Sequence, residues 1–248
     1  MNRRRENKRA LVTGGSRGIG AAIVRRLALE GAHVALTYIS NSNQANETVK
    51  AAQASGVKAL AIQADSADAK EVVAAVERTV RELGGIDILV NNAGVAVIAP
   101  LDDYRLEDFD LTLAVNVRAV FVATQAAVKH MTAGGRIINL GSCNAERVPF
   151  AGGGVYAMSN AALVGLVKGL ARDLGPLGIT INNVAPGPTD TDMNPATSDF
   201  ARMTVEQFMA LPRYGTVDEI ASLVAWLASP ESSYVTGASL AIDGGYTA

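Results

Sequence analysis

The chain has 248 residues, a formal net charge of −2, and 49% hydrophobic against 19% charged residues. This excludes a disordered chain and argues against a sequence-independent nucleic-acid binder, which carries a basic excess. One cysteine, Cys143, excludes an internal disulfide, and two histidines far apart, His33 and His130, offer no metal site. No apolar segment follows the basic run Arg3-Arg4-Arg5, continued by Lys8-Arg9, and no stretch reaches ~18 uninterrupted apolar residues. The run reads as a solvated tail, His33 as structural, and a cytoplasmic location without membrane contact is expected.

Apolar runs and helical periods alternate from end to end. Ala10–Thr13 predicts a strand ending in glycines, Ile19–Glu30 an amphipathic helix, and Val34–Tyr38 a second strand. A helix over Gln44–Ala54, a strand over Lys58–Gln63, a helix over Ala69–Leu83 and a strand over Asp87–Asn91 follow. Two helices are predicted at Leu106–Asn116 and Arg118–Met131, then a strand at Gly135–Leu140 and a long helix at Tyr156–Leu174. Ile179–Val184, Val217–Ala228 and Ser239–Ile242 read as strand, helix and strand. Strands alternating with helices at this spacing predict one α/β domain over 1–248, a Rossmann-type, doubly wound parallel sheet of seven strands. Pro186–Gly215 shows no clear period and follows a strand end, so a flexible lid is expected at about 189–214.

The first strand runs into Thr13-Gly14-Gly15-Ser16-Arg17-Gly18-Ile19-Gly20. Glycines at 14, 18 and 20 allow a tight turn and let backbone N–H groups and a helix N-terminus approach a pyrophosphate. Gly14, Ser16, Arg17, Gly18, Ile19 and Gly20 are therefore expected at a dinucleotide. The second strand ends Thr37-Tyr38-Ile39-Ser40-Asn41, without the carboxylate that binds a ribose 2′-OH in NAD enzymes. Arg17 can pair with a 2′-phosphate, and Tyr38, Ser40, Asn41 and Ser42 stand nearby. NADP(H) is the expected cofactor.

Further pieces fall in order along the chain: Asn91-Asn92-Ala93-Gly94, Asn116, Ser142, Tyr156 and Pro186-Gly187. With the Gly-rich turn they resemble the short-chain dehydrogenase/reductase family over the whole chain. The resemblance implies that Tyr156 is the general acid/base, that Ser142 polarises a carbonyl oxygen, and that Asn116 holds a relay water. It implies Asp65 and Ser66 at the adenine end, Asn92, Ala93 and Gly94 along the cofactor, and Pro186, Gly187, Thr189 and Thr191 near the carboxamide. A small ketone or alcohol is the implied substrate. A homotetramer is expected from the apolar helices Arg118–Met131 and Tyr156–Leu174 and from the C-terminal strand region, and the family supports it. A looser likeness, over 141–149 and 186–195, is to a subgroup of 3-oxoacyl-carrier-protein-reductase-like enzymes that includes a cyclic-di-GMP-binding biofilm-dispersal protein.

Two departures stand out. Ser142 and Tyr156 lie about one residue further apart than is common in the family, and Gly152-Gly153-Gly154 is the segment expected to absorb the extra one. Asn160 stands at the position of the family's lysine, which binds the nicotinamide ribose and lowers the tyrosine pKa. An asparagine hydrogen-bonds but carries no charge. A unit charge about 5 Å from a phenolate, at an effective dielectric of ~20, is worth roughly 3 kcal/mol, or about two pKa units. The expected consequence is a reductase slowed by roughly one to three decades. The alternative is a weakly catalytic regulatory protein that binds NADPH or cyclic-di-GMP. Met193, Phe200, Met203, Phe208, Met209 and Leu211 are expected to wall an apolar substrate pocket. Cys143 reads as packing.

Overall fold

The computed structural model of the chain describes residues 6–248. The run Arg3-Arg4-Arg5 lies outside them. Lys8 and Arg9, expected in the same tail, do not behave as one. Arg9 opens the first strand and clamps Asp87 through Nε (2.7 Å) and Nη2 (3.0 Å), with Lys8 Nζ at 3.7 Å.

Seven strands form one parallel sheet: β1 Arg9–Val12, β2 His33–Tyr38, β3 Ala59–Gln63, β4 Ile88–Asn91, β5 Arg136–Leu140, β6 Thr180–Pro186 and β7 Ser239–Ile242. Their order is β3-β2-β1-β4-β5-β6-β7, the doubly wound order with one strand added. Central strands read as unbroken apolar runs because both faces are covered. In β1, Ala10 and Val12 pack with α1 (Gly18–Leu29), α2 (Ser42–Gln53) and α8 (Val217–Leu227), while Leu11 packs with the other helix layer. That layer is α3 (Ala69–Leu83), α5 (Ala119–Val128) and α6 (Gly154–Leu174). The chain order reverses between β1 and β4, so their carboxyl ends open a crevice.

Local rules explain most boundaries. Asp68 caps α3 by accepting from Lys70 and Glu71, and Gly84 ends it in the left-handed conformation. A capping box between Thr216 and Glu219 starts α8. His33 Nδ1 accepts from the Lys58 backbone, and His130 Nε2 lies 2.9 Å from Glu77.

Three regions differ from expectation. The two helices separated near Val117 are one continuous run, α4 (Leu106–Leu113) joined to α5 by a π-helical turn at Ala114–Arg118. Pro186–Gly215 is not without a helix, since α7 spans Asp199–Phe208 behind a Ser198 cap. Finally, Leu106–Val128 and Gly154–Leu177 have the length and composition of membrane-crossing helices. Both runs also pack in one core cluster with strand residues, through Ala123 and Ala126 in the first and Val167 and Leu174 in the second.

Candidate active site

A cleft of about 880 Å³ opens over the carboxyl ends of the strands. Its first wall is the turn after β1. Thr13 Oγ1 accepts from the backbone of Asn92 and Ala93, both at 3.0 Å, and Asn92 Nδ2 donates to the carbonyls of Thr13 and Gly14. Thr37 Oγ1 accepts from Gly14 N at 3.0 Å, and Thr48 Oγ1 donates to Ser16 O. These side chains hold the turn in shape, so its N–H groups stay aimed at a ligand. Gly20 has no room for a Cβ, which would collide with the Gly14 carbonyl and the Asn92 amide. The turn can therefore press its backbone against a diphosphate.

Every residue expected from sequence at the cofactor or at the reacting group lines the cleft, from Gly14 to Thr191; of the nearby polar residues, Ser42 does not. At the adenine end, Asp65 Oδ1 accepts from Ala67 N, and Asn41 caps α2. Arg17 is half exposed and reaches Asp192 at 4.0 Å across the cleft mouth. No carboxylate from the end of β2 lines the cleft. The residues present therefore fit a dinucleotide carrying an extra phosphate on its adenosine ribose.

Four side chains meet at the reacting end. Tyr156 and Asn160 sit on α6, Ser142 follows β5, and Asn116 lies in the π-helical turn. Such turns recur at functional sites because they swing one residue out of helical phase. Asn116 Nδ2 donates to Val95 O (2.9 Å) and Ser159 Oγ (3.0 Å), and its Oδ1 accepts from Val95 N. Both amide hydrogens are thus used inside the protein.

Gly152 takes φ +83, where only glycine is comfortable, with its backbone against Ala99. α6 then begins at Gly154. This bend lies between Ser142 and Tyr156. Burial raises the Tyr156 phenol above its ordinary pKa, the Ser142 hydroxyl opposes that, Cys143 adds to it, and Asn160 opposes it. Burial also pushes the Cys143 thiol up to about 12, with Asp243 adding to it. A thiol in that state is a packing group, not a nucleophile.

The apolar wall is narrower than expected. Met193 and Phe200 line the cleft, but Met203, Phe208, Met209 and Leu211 do not. The phase of α7 explains this: Ala201 and Thr204 turn inward and are buried, while Met203 is exposed. Phe208 instead packs edge to face with Tyr246, and Arg147 lies against both rings. The cleft's remaining wall includes Phe150, Leu163, Thr204, Tyr214 and Tyr246, none of which stood out in the sequence as a site residue. Only the folded chain brings them there.

A Gly-rich turn at the switch point of a doubly wound sheet, with a Ser–Tyr pair at the far end of the same cleft, defines a dinucleotide-fold protein of the oxidoreductase type. A family profile described as Enoyl-(Acyl carrier protein) reductase matches residues 14–247. The chain is 46% identical over 241 residues to the cyclic-di-GMP-binding biofilm dispersal mediator protein of Escherichia coli K12, covering 97% of this chain and 98% of that one. It is 40% identical over 240 residues to the 3-oxoacyl-[acyl-carrier-protein] reductase of Staphylococcus aureus, covering 96% and 97%. A short chain dehydrogenase from Burkholderia cenocepacia J2315, solved in complex with NADP, superposes with a TM-score of 0.97 at 55% identity, over 99% of this chain and 100% of that one. The chain belongs to the short-chain dehydrogenase/reductase family.

Proposed function

We propose that this protein is an NADPH-dependent reductase that converts a ketone to a secondary alcohol, slowed by Asn160. The observation that carries the reading is that Tyr156, Ser142 and the Gly-rich turn line one and the same cleft. Bound there, the reduced nicotinamide supplies the hydride that goes to the carbonyl carbon. Tyr156 donates its phenolic proton to the carbonyl oxygen as negative charge develops on it. Ser142 donates a hydrogen bond to the same oxygen. Asn116 holds the end of the path that restores the proton to Tyr156. Asn160 adds hydrogen bonding without charge, so the phenolate receives less support than a lysine would give.

NADP(H) is supported by Arg17, by the carboxylate-free end of β2 and by the NADP complex of the Burkholderia protein. Residues 189–214 act in this reading as a lid on a single domain spanning 1–248. Exposed apolar side chains on the outer helices, Phe121 on α5 and Met158 on α6, support a homotetramer. Steady-state NADPH oxidation with a panel of ketones tests the reading, with Tyr156→Phe as the control. Turnover that persists in Tyr156→Phe would remove it.

Asn160 favours one second reading, a nucleotide-binding regulator that keeps the cleft and has little turnover. The Escherichia coli relative described as cyclic-di-GMP-binding supports it. Calorimetric titration with cyclic-di-GMP, with and without NADPH, separates the two. Tight binding together with no turnover of any ketone would favour the regulator.

A further inference from the structure

One guanidinium joins three segments beside the cleft. Arg147 is half-buried in the loop between β5 and α6, the loop that carries Ser142. Its Nη1 donates to the Tyr246 carbonyl at 2.6 Å, close to the C-terminus. Its Cζ stands 5.6 Å from the Phe208 ring centroid and 5.8 Å from that of Tyr246, and the two rings meet edge to face. Both distances lie within cation–π range. Phe208 is the last residue of α7, and Tyr246 lines the cleft at 3% exposure. An apolar side chain would fill this position without the cost of desolvating a cation. The planar guanidinium adds a directional hold on the tail and a face for each ring.

The tail that it holds is built as a hook. The Ile242 carbonyl, at the end of β7, accepts from Gly187 N at 3.0 Å, and Gly187 lines the cleft. Asp243 then accepts from Gly245 N at 3.0 Å and from Thr247 through its N (3.0 Å) and Oγ1 (2.7 Å). Gly244 and Gly245 take φ +63 and +80, where glycine is favoured. A Cβ on Gly244 would run into Met209 Cε, and one on Gly245 into Ala210 Cβ. The Gly244 carbonyl accepts from Leu211 N at 2.9 Å. The residues just after α7 are thus close-packed on the hook and hydrogen-bonded to it. Arg147 ties both to the Ser142 loop.

We propose that Arg147 is a positioning residue for the substrate site. It locks the end of α7 and the C-terminal hook together, so that Tyr246 closes one wall of the cleft and the two segments open as a unit. The word substrate rests on the ketone-reductase reading; the coupling of the two segments does not.

Hydrogen exchange of the whole protein tests the coupling. Arg147→Met keeps the stem and loses the donors and the charge. Exchange in 199–214 and in 243–248 should quicken together, about ten-fold, the scale of one charge-assisted hydrogen bond with a cation–π contact. The Gly-rich turn at 13–20 should be unchanged. Arg147→Lys keeps the charge and should fall between, and it carries the same readouts if Arg147→Met does not fold. Quickening in one of the two segments alone, in neither, or equally throughout the molecule would overturn the proposal.

Steady-state ketone reduction is the second arm. Arg147→Met should raise KM about ten-fold and leave kcat and NADPH affinity within about two-fold. Mere loss of folded protein would lower kcat and leave KM unmoved. Tyr246→Ala should also raise KM, and the double variant should be no worse than the larger single one, because both act through one contact. Single effects that multiply in the double variant would overturn the proposal. A parent protein that reduces no ketone removes the reductase reading and leaves exchange to decide the lock. Turnover with KM unmoved by Arg147→Met removes the lock and leaves the reductase.

Discussion

Asn160 Nδ2 donates to the backbone carbonyl of Tyr156 at 2.9 Å, one turn back along α6. The side chain is 4% exposed, and it spends a donor on the helix that carries it. This contact fixes the amide against its own helix. Tyr156 therefore has a neutral, tethered neighbour one turn along its own helix. Burial then acts on the phenol without an opposing charge.

Replacing that amide is the most direct intervention. Asn160→Lys should raise ketone reduction roughly ten-fold or more, because an ammonium stabilises the phenolate and grips the ribose diol. Tyr156→Phe should abolish activity in both backgrounds. Initial rates of NADPH oxidation in the four proteins settle this. A folded, NADPH-binding Asn160→Lys with an unchanged rate would remove Tyr156 from the acid/base role.

The pH dependence follows from the same phenol. Its pKa is raised, so in the reductive direction the required proton is present throughout the neutral range. Reduction should be nearly flat with pH up to about 9, given an ordinary phenol value of about 10. Alcohol oxidation needs the phenolate and should still be climbing at about pH 10. Asn160→Lys should move that rise toward neutral. A plateau in oxidation well below pH 9 in the parent protein would contradict the burial of Tyr156.

Much of this arrangement was legible in the sequence, for identifiable reasons. α3 matches its expected span, Ala69–Leu83, because Asp68 and Gly84 mark its ends chemically. β7 matches Ser239–Ile242 as well. The π-helical turn is not legible, since a one-residue shift in hydrogen bonding leaves no compositional trace, and the sequence pattern makes Asn116 the end of a helix. α7 carries a weaker signal, Ser198 as cap and then Ala201, Thr204 and Phe208 at helical spacing, masked by the Pro- and Thr-rich stretch before it. Thr204 and Tyr214 reach the cleft only through the path of residues 189–215, which no periodicity reports.

Cofactor choice is expected to rest on Arg17. Its partner in the structure is Asp192 at 4.0 Å, with both side chains more than half exposed, so this pair is weak and yields easily to a phosphate. Arg17→Ala should weaken NADPH by about ten- to hundred-fold and NADH far less. Fluorescence titration of both cofactors measures the difference. An equal loss for the two would place the 2′-phosphate elsewhere.

Assembly is expected to use the outer helices. Phe121 and Met158 are each 43% exposed, and Leu111 is 41% exposed. Covering such side chains in a two-fold contact would remove them from water. Light scattering should report a tetramer, and Phe121→Glu should shift the distribution toward smaller species. A parent protein that remains monomeric at all concentrations would refute this.

Stability should carry a signature of the clamp between β1 and β4. Burial pushes the Asp87 carboxyl up, but the hydrogen bonds and charge of Arg9, with Lys8 behind it, hold it below the ordinary carboxylate value. A depressed folded pKa contributes stability above the unfolded value of about 4 and loses it as pH falls through the folded value. Asp87 is also the acceptor for the Arg9 backbone N–H at 2.9 Å. Asp87→Asn should therefore cost about 1–3 kcal/mol at pH 7, since it leaves a partly buried guanidinium without its partner. The gap to the parent should begin to narrow as pH falls below about 4 and close only as it drops through the lower folded value, where the folded carboxylate is itself protonated. Urea unfolding of both proteins across that range gives the two curves. A constant gap at all pH values would mean that the clamp acts through shape and not through charge.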